Sequence, residues 1–183
     1  MRKQELTHGA TLGLVVVALA ACSGNGEIEL SREPLLPAGT EIDLFGVSEA
    51  VWAREAAAGV EALSRAERVF LCVWNLEAEV NNGGFEQFYT NSAGDNARDT
   101  PTALREIGAA QAAKIAQAAN SVFGPSGPPA DRDARTEALD EFGAPATEAL
   151  SELDARFYEY PDDLEALLHR FVDRNRNQFY KAP

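Results

Sequence analysis

Histidine, cysteine and positive charge are scarce in this 183-residue chain, and each scarcity removes a class of function. The two histidines, His8 and His169, and the two cysteines, Cys22 and Cys72, form no pair or cluster spaced to hold zinc or copper, so no metal is expected. No nucleophile-elbow string occurs, and no phosphate-cradling glycine loop follows a strand pattern, so no motif marks a hydrolase or a nucleotide site. No cofactor is implied. Sixteen basic residues face 29 acidic ones, a formal net charge of −13, which disfavours direct nucleic-acid binding or contact with an anionic membrane by the folded part. No stretch alternates with the period of a strand, and no period of roughly 20 to 50 residues repeats.

The hydrophobic 45% that is present does two jobs. Arg2 and Lys3, the apolar run Ala10 to Ala18 and then Leu19-Ala20-Ala21-Cys22 have the order of an export signal, and the run is too short to span a bilayer. Small residues ahead of Cys22 resemble the lipobox of bacterial lipoproteins. That resemblance implies a signal peptide over residues 1–21 and a mature chain that begins at Cys22, lipidated on its thiol and its amine. Ser23 after it implies sorting to the outer membrane, facing the periplasm. Acylation of Cys22 leaves Cys72 the sole thiol, and its apolar helical setting marks it as a core residue rather than a nucleophile. Residues 22–40, with Gly24, Gly26, Pro34, Pro37 and Gly39, have the composition of a flexible tether. About 18 residues at roughly 3.3 Å each reach about 60 Å when stretched.

From residue 41 to 183 the pattern is helical, and the fold class expected is all-α, a single compact domain of about seven to nine short helices. Ser48 is the expected N-cap of a helix to about Leu63, with Ala50, Val51, Ala57 and Val60 inward. Ser64 and Glu67 have the spacing of a capping box for the central helix. Thr100-Pro101 reads as N-cap and first helical residue, and Gly108 separates two helices. Gly124 to Pro129 is a loop. Asp131 to Phe142, Pro145 to Tyr158 and Asp162 to Tyr180, with Asp162 as cap, complete the set.

Asn75 to Asn91 is the stretch around which the domain is organised. Val69 to Trp74 is apolar nearly all round, and Glu77 falls on the face shared by Phe70, Val73 and Val80. Asn81-Asn82-Gly83-Gly84 follows, able to break the helix and turn the chain, after which Phe85, Phe88 and Tyr89 return to the core. Two roles are open for Glu77: it accepts hydrogen bonds from amides of that turn or of Phe85, or it is a pocket carboxylate with a raised pKa. Trp52, Trp74, Phe85, Phe88 and Tyr89 are expected in the core; a cleft shared with Asn81, Asn82 and Gln87 would instead fit a sugar or peptide. His169 is expected at the core boundary. Glu86, Asp95 and Asp99 could approach a calcium ion, though their order is not that of an EF-hand loop.

Glu77 to Asp95, together with Ala103-Leu104, Ile107-Gly108-Ala109 and Leu153-Asp154-Ala155-Arg156-Phe157-Tyr158, resembles the helical domain of the bacterial DNA-mimic-protein family over roughly Val69 to Phe179. The resemblance implies an all-helical fold able to form a homodimer. For the founding mimic it implies an acidic face that occupies the DNA site of a transcription factor.

Mimicry needs exposed carboxylates at phosphate-like spacing, and residues four apart on a helix lie about 6 Å apart along its axis. Asp133, Glu137 and Glu141 form one such row; Glu148, Glu152 and Glu159 form a second, with Arg132, Arg135 and Arg156 interleaved as neutralising partners. Because an exported chain does not meet cytoplasmic transcription factors, the first expectation is a lipid-anchored, non-catalytic binding module of the cell envelope, taking a basic protein partner. The alternatives are an envelope enzyme or small-ligand protein using Glu77, and a true DNA mimic.

Overall fold

In the computed structural model, residues 36, 37, 39 and 41–180 are described; the signal segment, Cys22 and nearly all of the tether lie outside them. Asp43, not Ser48, starts the first helix, α1 (Leu44–Ala58), by accepting from the Phe45 N–H at 3.1 Å. Ser48 sits one turn inside, buried, donating to the Phe45 carbonyl. Cap-type residues stand at both positions, and the apolar pair Leu44 and Val47 draws the helix start forward. The helix also ends early, at Gly59, so Ala57 and Val60 are exposed where they were expected inward.

The long helix α2 (Arg65–Thr90) starts as its capping box requires: Ser64 N–H donates to Glu67 Oε2 at 2.6 Å and Glu67 N–H to Ser64 Oγ at 3.2 Å. The other Glu67 oxygen lies 3.7 Å from the Arg54 guanidinium, so the buried carboxylate is compensated from α1. Phe70, Val73, Leu76 and Val80 are fully buried, and Leu71 and Cys72 are buried on other faces, so the stretch from Val69 to Trp74 is apolar nearly all round and draws the helix to the centre.

Around it stand α3 (Thr100–Ile107), α4 (Ala110–Ser121), α5 (Arg132–Phe142), α6 (Ala144–Phe157), α7 (Leu164–Arg174) and the single turn α8 (Arg176–Phe179), with 3-10 turns at Val60–Ala62 and Ser92–Asn96. α2 contacts α1, α3, α5, α6, α7 and α8, which makes it the hub of one core. Among the described residues there are eight α-helices and no strand, an all-α domain. None of these helices is long and apolar enough to cross a membrane.

Two adjacent aspartates divide the capping work. Asp163, not Asp162, caps α7 by accepting from Ala166 N–H. Asp162 Oδ2 instead accepts from Gln111 and Ala112 N–H at 2.7 and 2.8 Å, satisfying the start of α4 after the left-handed Gly108. Leu36, near the end of the tether, donates its N–H to the Phe179 carbonyl and pairs with Tyr180, so the entering chain lies beside the C-terminal turn.

Candidate functional site

Gly83 and Gly84 break α2 in the middle. Gly84 has φ 77° and ψ −177°, a backbone region closed to residues with a side chain, and helical hydrogen bonding resumes beyond it. The bend is sharp enough that Glu79 Oε2 accepts from both Gln87 Nε2 at 2.6 Å and Asn91 Nδ2 at 2.9 Å. On a straight helix those residues would stand about 12 and 18 Å away along the axis. The chain therefore turns here, as the Asn81-Asn82-Gly83-Gly84 string implies.

Asp154 of α6, not Glu77, is the carboxylate bound to this turn. Its Oδ1 accepts from the Phe85 N–H at 2.7 Å, and a Cβ on Gly84 would run into the same group. Burial pushes the Asp154 carboxyl upward, partly offset by the Phe85 amide, with Glu86 adding to the rise. The Tyr158 hydroxyl donates to the Val80 carbonyl at 2.7 Å, Asn81 Nδ2 donates to the Tyr160 hydroxyl at 2.6 Å, and the Phe157 ring meets Phe85 edge-on. Thus the turn string and Leu153 to Tyr158, far apart in the chain, are two halves of one joint.

A second joint holds the far end of α2. Arg135, fully buried, donates to the carbonyls of Tyr89, Asn91, Pro129 and Ala130 and pairs with Asp95. Gly94 fits beneath it only because it has no Cβ, which would press on the carbonyls of Phe88 and Tyr89. Asp95 is thereby committed to an ion pair. Glu86, Asp95 and Asp99 are not brought together as a calcium site, and no group of three metal-ligating side chains occurs among the described residues.

Glu77 opens elsewhere, into a cleft of about 560 Å³ between the entry to α1, the middle of α2 and α7. Trp74, Asn81 and His169 line it with Glu77, so His169 is a cleft residue. Asn82, Gly83, Gly84, Phe85 and Gln87 are not part of it; Gly84 and Phe85 are buried at the joint, and Gln87 is tied to Glu79. Burial, with the negative charges of Glu165 and Asp163, pushes the Glu77 carboxyl above its ordinary range. Cys72 lies in the core, its thiol pushed up to about 12 chiefly by burial, and no nucleophile results. Trp52 is 40% exposed rather than core, its indole N–H donating to Asn75.

The acidic rows fare differently. Asp133, Glu137 and Glu141 are exposed on α5, joined by Asp140 around a shallow depression. Arg135, expected among them as a neutralising charge, has been withdrawn into the core. Glu148 and Glu152 are exposed on α6, but Glu159 lies past its end, so the second row is shorter than expected. None of these carboxylates has an ion pair among the described residues.

Comparison with curated proteins yields no match, and comparison with solved structures yields none either. A family profile described as DMP19-like protein matches residues 61–175, which takes in α2 with its glycine turn, the Arg135 joint and the Asp154 helix. The match covers more than half of the chain, which therefore belongs to the DMP19-like family, that of DNA mimic protein 19.

Proposed function

We propose that this protein is an acidic, non-catalytic helical binding module, anchored in the bacterial cell envelope by lipid on Cys22, that presents the carboxylates of α5 and α6 to a basic protein partner. The observation that carries the proposal is the burial of Arg135. With that guanidinium spent on backbone carbonyls and Asp95, Arg132 in the first turn is the one cation left on the surface of α5, and the four carboxylates of the helix face solvent with no ion pair among the described residues. Carboxylates at one-turn spacing repel one another and are relieved by a cationic surface, which also makes such contacts salt-sensitive. Membership of a family named for DNA mimicry fits the same chemistry, because a surface that stands in for phosphates is one that basic proteins bind.

The test is capture from envelope extract with the full chain as bait, at low and high salt, beside the variant Asp133→Asn, Glu137→Gln, Glu141→Gln. A partner retained at low salt, released at high salt and lost with the variant supports the proposal. Equal capture by the neutralised variant overturns it. Competition by duplex DNA for the captured protein would move the assignment to true DNA mimicry.

A second reading, a small-ligand protein, is favoured by the cleft over Glu77, independently of the α5 face.

A further inference from the structure

We propose that the cleft over Glu77 binds a small organic cation, an ammonium or guanidinium group carried on an apolar body. The assignment rests on the small-ligand reading of the cleft and is independent of the acidic helical face.

Three parts of the chain converge on this cleft and bring four carboxylates: Glu41 and Asp43 from the entry to α1, Glu77 from α2 and Glu165 from α7. No lysine or arginine lines it. Asp43 is half-spent as the cap of α1, but Glu77 makes no hydrogen bond or ion pair among the described residues. A half-buried carboxylate beside like charges favours a positive group that can replace the solvation it has lost. Burial first, and then the negative charges of Glu165 and of Asp163 beside the cleft, push its carboxyl above its ordinary range. Asn81 gives its amide N–H to Tyr160, so its Oδ1 remains as an acceptor for an N–H of the ligand.

The apolar half of the cleft decides the rest of the ligand. The Trp74 ring stacks on Phe70 with centroids 5.7 Å apart and planes 15° apart, and Phe70 is in turn braced edge-on by Phe179. The indole is thus fixed before any ligand arrives. Tryptophan is the strongest of the aromatic rings in attracting a cation. Phe45 is 57% exposed on the lining, an apolar ring without a cover of its own. A volume of about 560 Å³ lies within the range of roughly 300 to 1,000 Å³ usual for small-molecule sites. The cleft sets an aromatic wall beside its carboxylates, which a bare lysine or arginine side chain would use only in part, and this favours a free small molecule with an apolar body as occupant.

The probes are phenethylammonium, 2-phenylethanol and phenylacetate, which share an apolar body and carry positive, no and negative charge. Each is titrated calorimetrically into the full chain in nonionic detergent, against a protein-free micelle blank. The expected order is phenethylammonium first, 2-phenylethanol about tenfold weaker and phenylacetate without binding. Glu77→Gln should weaken the cation about tenfold while leaving the alcohol unchanged, and Phe45→Ala, an exposed position that the fold does not need, should weaken both. Glu148→Gln, on α6 and outside the cleft, should change nothing. Circular dichroism confirms that each variant is folded. Equal binding of the three probes overturns the cation assignment while leaving a ligand cleft in place. No binding of any probe at millimolar concentration, or a cation affinity untouched by Glu77→Gln in a folded variant, overturns the site as well.

Discussion

Removing the Asp154 carboxylate would leave the buried Phe85 N–H without an acceptor at the start of the second half of α2. Asp154→Ala should therefore cost about 1–3 kcal/mol in urea unfolding, and Asp154→Asn less, since an amide oxygen can still accept. Glu77 predicts the opposite sign. Its folded pKa is raised, so the ionised form is the less stable one in the fold; the penalty is fully present above the folded pKa and fades as pH falls through it toward the ordinary 4.5. Glu77→Gln should thus raise the melting temperature at pH 7 to 8, with the difference from wild type closing in acid. The Ser64–Glu67 capping box was legible because both partners lie within one turn. The Asp154–Phe85 bond was not, because its partners are 69 positions apart and a carboxylate nearer in sequence, Glu77, offers the same chemistry. Asp162 and Asp163 are indistinguishable in sequence for a related reason: both are good caps, and which helix each one serves is settled by the packing of α4 against the entry to α7.

At the scale of elements, α2 depends on a glycine at its bend and on an arginine at its end. Gly84→Ala places a side chain in a backbone region that only glycine enters freely and against Asp154, so it should cost about 1–3 kcal/mol from backbone strain alone. Denaturant titration checks it. Arg135→Met leaves the carbonyls of Tyr89, Asn91 and Ala130 without their donor; a loss of about 3 kcal/mol or more is expected, and Arg135→Lys should recover little, because a single ammonium cannot reproduce the planar fork. Most helices could be read from apolar period, glycine and proline: the break at Gly108, the loop after Gly124 and α5 beginning behind Asp131 all follow from local chemistry. Arg135 could not, since at helical spacing beside Asp133 and Glu137 it has every mark of a surface charge. One signal was available: Gly94 and Asp95, in the string that resembles the family, are the small residue and the anion that a buried guanidinium needs nearby.

At the scale of the molecule, the two joints and the acidic face are one arrangement, because the residue that fastens α5 to the end of α2 is one of the two arginines of α5, withdrawn from its surface. The all-helical class followed from patterning alone, and the family's strings are explained by contact: the turn at Gly83-Gly84 with Asp154, Phe157 and Tyr158, and the loop at Gly94-Asp95 with Arg135. The cleft was less legible, since it needs the entry to α1 and α7 to flank α2, a tertiary fact that no spacing encodes. What separates an envelope module from a cytoplasmic DNA mimic is the N-terminus of the mature chain. Mass analysis of that terminus from isolated membranes should find a chain that begins at Cys22 with acyl groups on its thiol and amine. A soluble chain that keeps Met1 and an unmodified Cys22 would contradict the envelope assignment.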